Sequence, residues 1–142
     1  MTRGGFGSKV HLMTDARGLP IGCVLTQGNR NECPEFEPLL TQTLANTGGI
    51  VPTRLAADRA YNAGSIRGRL RDLGVEAVIP PRCSDRPIEY DKTAYRGRNV
   101  VERCVGRLKE MRRIGTRYEK LAGSYLAMLT LGMAVLYLRV LA

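Results

Sequence analysis

The sequence has one histidine and no tryptophan. With His11 alone, no His-based metal cluster or triad can be assembled. The four cysteines (Cys23, Cys33, Cys83, Cys104) form no Cys-x-x-Cys pair and have no neighbouring histidine, so zinc spacing is absent. They read as reduced, mostly structural thiols of a cytoplasmic protein. Glycine is plentiful, but no G-x-x-x-x-G-K-[ST] stretch occurs, which excludes a nucleotide P-loop. No secretory signal pattern opens the chain. The apolar run from Tyr125 to Leu138 is shorter than the ~20 residues of a membrane span. It reads as a buried or partner-facing helix, with no membrane partner expected. Acidic residues are also few: 13 Asp and Glu against 22 Lys and Arg, a formal charge of +9. That imbalance favours a polyanionic partner, nucleic acid before anionic membrane.

The 142 residues suffice for one domain with a real core, not for two. Val10 and Leu12 alternate with Lys9, His11 and Met13, which predicts a strand over 8–14. Asp15-Ala16-Arg17-Gly18 is turn chemistry, and Pro20 to Thr26 reads as the returning strand of a hairpin. His11 on such a strand reads as a packing or hydrogen-bonding residue. Pro34 suits a helix start, Phe36, Leu39, Leu40, Thr43 and Leu44 follow at helical spacing, and Gly48-Gly49 ends the run. Residues 53–58 read as a short strand and 63–73 as a helix stopped by Gly74. Val75 to Ile79 reads as another strand, and 80–94 as a polar loop. One helix is predicted from about Tyr95 to Ile114, and a last one over about Ser124 to Leu141. Asp72, Asp85 and Asp91 read as solvated acids.

Two features carry chemistry. Tyr95, Arg98, Glu102 and Lys109 are spaced by three, four and seven residues. At ~100° per residue they fall within about 60° of one another on a helix. A carboxylate flanked by cations and a phenol suits a metal-bound phosphodiester, although such a stripe is also what a solvated face with weak ion pairs looks like. The stretch from Arg96 to Lys120 is the most basic in the chain, nine basic residues against Glu102, Glu110 and Glu119. The second feature is Asp58, which closes the strand Arg54-Leu55-Ala56-Ala57. Ligands of open α/β sheets sit beyond the carboxyl ends of strands. A helix N-cap is the alternative for Asp58, with Asn62 or Ser65 able to cap in its place.

Tyr-x2-Arg-x3-Glu-x6-Lys, downstream of a strand ending Ala-Asp-Arg-Ala-Tyr, resembles the DDE-type transposases of bacterial insertion sequences. Gly5-Phe6-Gly7-Ser8-Lys9-Val10-His11-Leu12, Asp15-Ala16-Arg17-Gly18-Leu19-Pro20 and Leu25-Thr26-Gln27-Gly28-Asn29 extend the resemblance over nearly the whole chain. It implies an α/β, ribonuclease H-like mixed sheet with flanking helices. The order here is β-β-α-β-α-β-α-α, apparently lacking the first, central strand that carries the family's first catalytic Asp. Residues 1–142 would then be a single, N-terminally incomplete catalytic domain. Asp15, at a hairpin turn, is not a candidate for that acid. Without the central strand, the expectation is a marginal domain, or strands 8–14 and 53–58 closing imperfectly on each other.

The resemblance also implies roles. Asp58 and Glu102 would be the second and third acids, catalytic and metal-binding, with Mg²⁺ as cofactor and Mn²⁺ as a substitute. Arg98 and Lys109 would hold DNA phosphates, and Tyr95 would pack near the scissile strand. The reaction would be metal-dependent cleavage at a transposon end followed by strand transfer, with this chain alone inactive or nearly so. Implied partners are double-stranded DNA (transposon ends and target), an upstream transposase segment and a homo-oligomer, in a bacterial, nucleoid-associated cytoplasmic setting. The competing reading is a non-catalytic DNA-binding or subunit-interaction module that regulates a full-length transposase. A third, an RNA-binding protein, rests on charge alone.

Overall fold

The computed structural model describes residues 7–83, 85–117 and 119–142. Gly5 and Phe6 of the hairpin motif lie outside them. The fold is mixed α/β, with two small sheets and several helices. Strand β1 (Ser8–Thr14) pairs antiparallel with β2 (Pro20–Gln27). Asp15 shapes the turn between them: its Oδ1 accepts from the amides of Arg17 and Leu19 at 2.9 and 2.8 Å. Gly18, at φ 81°, takes the left-handed conformation this turn requires.

The hairpin lies between two helical layers. Helix α1 (Phe36–Asn46) covers one face, entered through a 3-10 turn at Cys33–Glu35. Its closest approach is at Gly22, where an added Cβ would lie 2.2 Å from Thr43 Oγ1. The opposite face packs on the C-terminal helices. There Cys23 shares a core with Cys104, Leu108, Ile114, Tyr125, Leu129 and Leu136, with Val10, Leu12 and Leu25 against it. The period-two alternation of the strand thus serves two different layers.

Strand β3 (Arg54–Ala56) pairs parallel with β4 (Glu76–Val78), and helix α2 (Gly64–Asp72) makes the crossover. A second core joins Phe36 and Leu40 of α1 to Leu55, Ile66, Leu70, Val75 and Ile79. The two sheets share no ladder among the described residues, so β1 and β3 do not close on each other. Side chains link them instead. His11, 2% exposed, meets the Tyr61 hydroxyl through Nδ1 at 2.7 Å and Thr26 Oγ1 through Nε2 at 3.0 Å.

The helix expected from Tyr95 to Ile114 is three: α3 (Lys92–Arg96), α4 (Asn99–Lys109) and α5 (Arg112–Gly115). It starts early because Asp91 caps α3, accepting from the amides of Thr93 and Ala94 at 2.8 and 2.9 Å. Those two hydrogen bonds hold the Asp91 carboxyl below its ordinary range. Around Gly97 the amides bond three residues back rather than four, a tightened turn between α3 and α4. The second break is at Met111, whose ψ of 112° is extended. The chain then folds back so closely that a Cβ on Gly115 would lie 2.3 Å from the Lys109 carbonyl oxygen.

Helix α6 (Ala122–Leu141) is 20 residues, longer than the apolar run that marks it, and is long and apolar enough to cross a membrane by length and composition. One face carries Tyr125, Leu129 and Leu136 into the core. At Gly132 an added Cβ would lie 2.5 Å from Ile114 Cδ1, so bare backbone lets the helices cross closely. The other face exposes Leu131, Val135, Leu138, Val140 and Leu141.

Candidate functional site

Asp58 follows the carboxyl end of β3 by two residues and opens the 3-10 turn Arg59–Tyr61. It occupies the cap position, yet its side chain accepts no capping hydrogen bond. Only its backbone carbonyl serves the turn, accepting from the Tyr61 amide at 2.9 Å. Asn62 and Ser65 do not cap α2 either, since Ala63 stands at that position without a side-chain cap. Asn62 instead donates to Asp85 at 2.6 Å and accepts from Arg67 Nε at 2.8 Å. Asp85 also accepts from the Arg82 amide at 3.0 Å. Asp85 and Asp91 are therefore structural acceptors rather than freely solvated acids.

Arg98 gathers the site. Its Nη2 donates to Glu102 Oε1 at 3.0 Å, and its Nη1 lies 3.9 Å from Asp58 Oδ2. One guanidinium thus joins a carboxylate on α4 to a carboxylate beyond β3. The guanidinium also lies 5.4 Å from the centroid of the Tyr95 ring. That ring meets Tyr90 edge-on at 5.7 Å. The Arg98 side chain is 25% exposed, whereas those of Asp58 and Glu102 are 51% and 62% exposed. Ion pairs this open to water contribute at most ~1 kcal/mol each, so the cluster adds little to stability.

The stripe is only partly one cluster. Tyr95, Arg98 and Glu102 touch in sequence because the turn around Gly97 keeps helical dihedrals, with Arg98 at φ −55° and ψ −20°. Lys109, exposed at the other end of α4, stands seven residues on, about 10 Å along the helix axis. It joins no ion pair among the described residues.

The other basic side chains between Arg96 and Lys120 sort into two groups. Arg96, Arg103, Lys109, Arg112, Arg113 and Lys120 are exposed. Arg107 and Arg117 turn inward. Arg107 donates to the Gly18 carbonyl at 2.7 Å. Arg117, with a φ of 50°, donates to Ser8 Oγ at 2.7 Å and lies 5.2 Å from the Tyr125 ring centroid.

Two further residues position the cluster. Arg54 of β3 lies 3.3 Å from Glu76 and 3.5 Å from Asp91, fastening the cap of α3 to the parallel strand pair. Asp91 immediately before the helical run Lys92–Arg96 is an N-cap pattern that the sequence does carry. Arg54 has no such local signal, because its partners are distant in the chain.

Two half-exposed carboxylates suit a hard divalent cation. Mg²⁺ is commonly held by one or two carboxylates, with waters and substrate phosphates completing its shell. Among the described residues, no group of three or more His, Cys, Asp or Glu is placed to hold a metal.

Asp58 beyond β3 and Glu102 on α4 thus meet through Arg98. Residues 2–137 match the Transposase DDE domain family, and the chain belongs to it. The chain is 34% identical over 132 residues to a Burkholderia cepacia protein named "Putative transposase for insertion sequence element IS402". That alignment covers 89% of this chain and 60% of the relative. It is 31% identical over 136 residues to a Brucella ovis protein named "Putative transposase for insertion sequence element IS6501", covering 93% of this chain and 98% of the relative. No solved structure matches.

Proposed function

We propose that this chain acts in DNA transposition, as the part of a DDE transposase that supplies two acids of the phosphoryl-transfer site. The observation that supports this most is the convergence of Asp58 and Glu102 on Arg98. A divalent ion held by these carboxylates would activate water and stabilise the leaving oxygen of a phosphodiester. Asp58 and Glu102 hold negative charge open to solvent, where an ion and a DNA phosphate can reach it. Arg98 and Lys109 supply cations for phosphate oxygens at the two ends of α4. Tyr95 packs beneath Arg98 and limits its orientations. In the first reaction, water oxygen bonds to phosphorus and the 3′-oxygen leaves, taking a proton. In the second, that 3′-hydroxyl attacks a target phosphodiester in a transesterification.

Because two acids and no third gather here among the described residues, the 142-residue chain is expected to show little or no cleavage alone. A fusion that adds a third acid on an N-terminal strand is expected to cleave and join DNA with Mg²⁺. Asp58→Ala or Glu102→Ala should abolish that activity. Robust Mg²⁺-dependent activity from the chain alone would overturn the two-acid reading.

A second reading, a regulatory module that binds DNA or transposase subunits, is supported by the exposed apolar residues of α6 and the exposed basic side chains between Arg96 and Lys120. DNA binding that persists in a fusion without any activity would favour it.

A further inference from the structure

We propose that Arg98 is the resident counter-ion of the acid pair, and that its release couples DNA engagement to metal loading. The proposal rests on the reading of Asp58 and Glu102 as metal-binding acids. One guanidinium reaches both carboxylates, at 3.9 and 3.0 Å, from a side chain that is only 25% exposed. No other Lys or Arg forms an ion pair with either acid among the described residues. A divalent cation on these oxygens would therefore compete with Arg98 or sit beside its positive charge. Both cost affinity. A backbone phosphate offers the guanidinium another bidentate partner. Phosphate capture frees the acids for the metal, and by linkage metal binding frees Arg98 for phosphate. Arg98 thus offsets one of the two negative charges until a phosphate draws it away.

The test is Mn²⁺ binding to the full chain at low salt without DNA, read from the electron paramagnetic resonance of free Mn²⁺. Arg98→Gln is expected to bind roughly tenfold more tightly than wild type. That is the order Coulomb's law gives for one unit charge about 6 Å from a divalent ion at the dielectric of water. Arg98→Lys, which keeps the charge, is expected to stay near wild type. Asp58→Asn or Glu102→Gln should remove the gain. If Arg98→Gln binds no more tightly while binding still depends on both acids, the counter-ion proposal falls and the acid site stands. If binding ignores both acids, the site reading falls and the proposal with it. A wild-type measurement covers the case of a misfolded variant. The Arg98 Nε–H resonance should shift, and exchange faster with water, as Mg²⁺ is added. No change while the ion binds would overturn the proposal.

Discussion

Replacing His11 by alanine tests how the Asp58 turn is anchored. The imidazole is 2% exposed and joins Tyr61 Oη at 2.7 Å to Thr26 Oγ1 at 3.0 Å. Its loss leaves the part-buried Tyr61 hydroxyl without this partner, at a cost of about 1–2 kcal/mol. Thr26 keeps a long contact with the Gln27 carbonyl, so its loss is smaller, about 0.5–1 kcal/mol. The vacated ring adds about 1 kcal/mol of lost packing. The sum is about 3 kcal/mol, or a fall in Tm of about 10 °C for a chain of this size. Urea and thermal unfolding of His11→Ala, Tyr61→Phe and the double variant measure it. The two changes should be non-additive by about 1 kcal/mol, since they share one hydrogen bond. Tyr61 also donates its amide to Asp58, so Mn²⁺ binding should weaken in step. A loss under 1 kcal/mol, or strictly additive effects, would contradict this anchoring role for His11.

His11 also gives stability a pH dependence: burial lowers its pKa below the ordinary 6.5. The unfolded chain then binds a proton before the folded one, so stability should fall as pH drops below ~6.5 and level off above it, with His11→Gln flattening that limb in urea titrations. Gly22→Ala should destabilise by roughly 1–3 kcal/mol through overpacking against Thr43 Oγ1. Adding Thr43→Ala should restore much of the loss, and a double variant no better than the single one would contradict that packing. Burial pushes the Cys23 thiol up to about 11. At pH 8 roughly one molecule in a thousand carries its thiolate, so a thiol reagent should label exposed Cys83 quickly and Cys23 only after unfolding.

Local pattern made much of the fold legible. The alternation around Val10 and Leu12 marks β1 over the residues where it forms, and Gly48, Gly49 and Gly74, all at positive φ, stop their helices as glycine at a C-terminus should. The breaks of the signature helix were less legible. The reversal at Met111 lets Ile114 reach core partners from elsewhere in the fold, which no local pattern encodes. The last helix was legible nearly in full, its start at Ala122 lying two residues before the expected Ser124. At the site, helical spacing alone brings Tyr95, Arg98 and Glu102 together. The meeting of Asp58 with Arg98 spans forty residues, and no local signal encodes it. The inward turn of Arg107 and Arg117 was equally hidden, since charge patterning cannot distinguish a tie to a carbonyl from a free cation.

Asp58 and Glu102 are proposed to belong to one metal site. Fe²⁺ in place of Mg²⁺, with ascorbate and peroxide, cuts the backbone where the metal sits. Paired fragments ending near residues 58 and 102 are expected, suppressed together by Mg²⁺ and lost together in Asp58→Asn. Cuts at only one of the two segments, or cuts indifferent to Asp58, would contradict it.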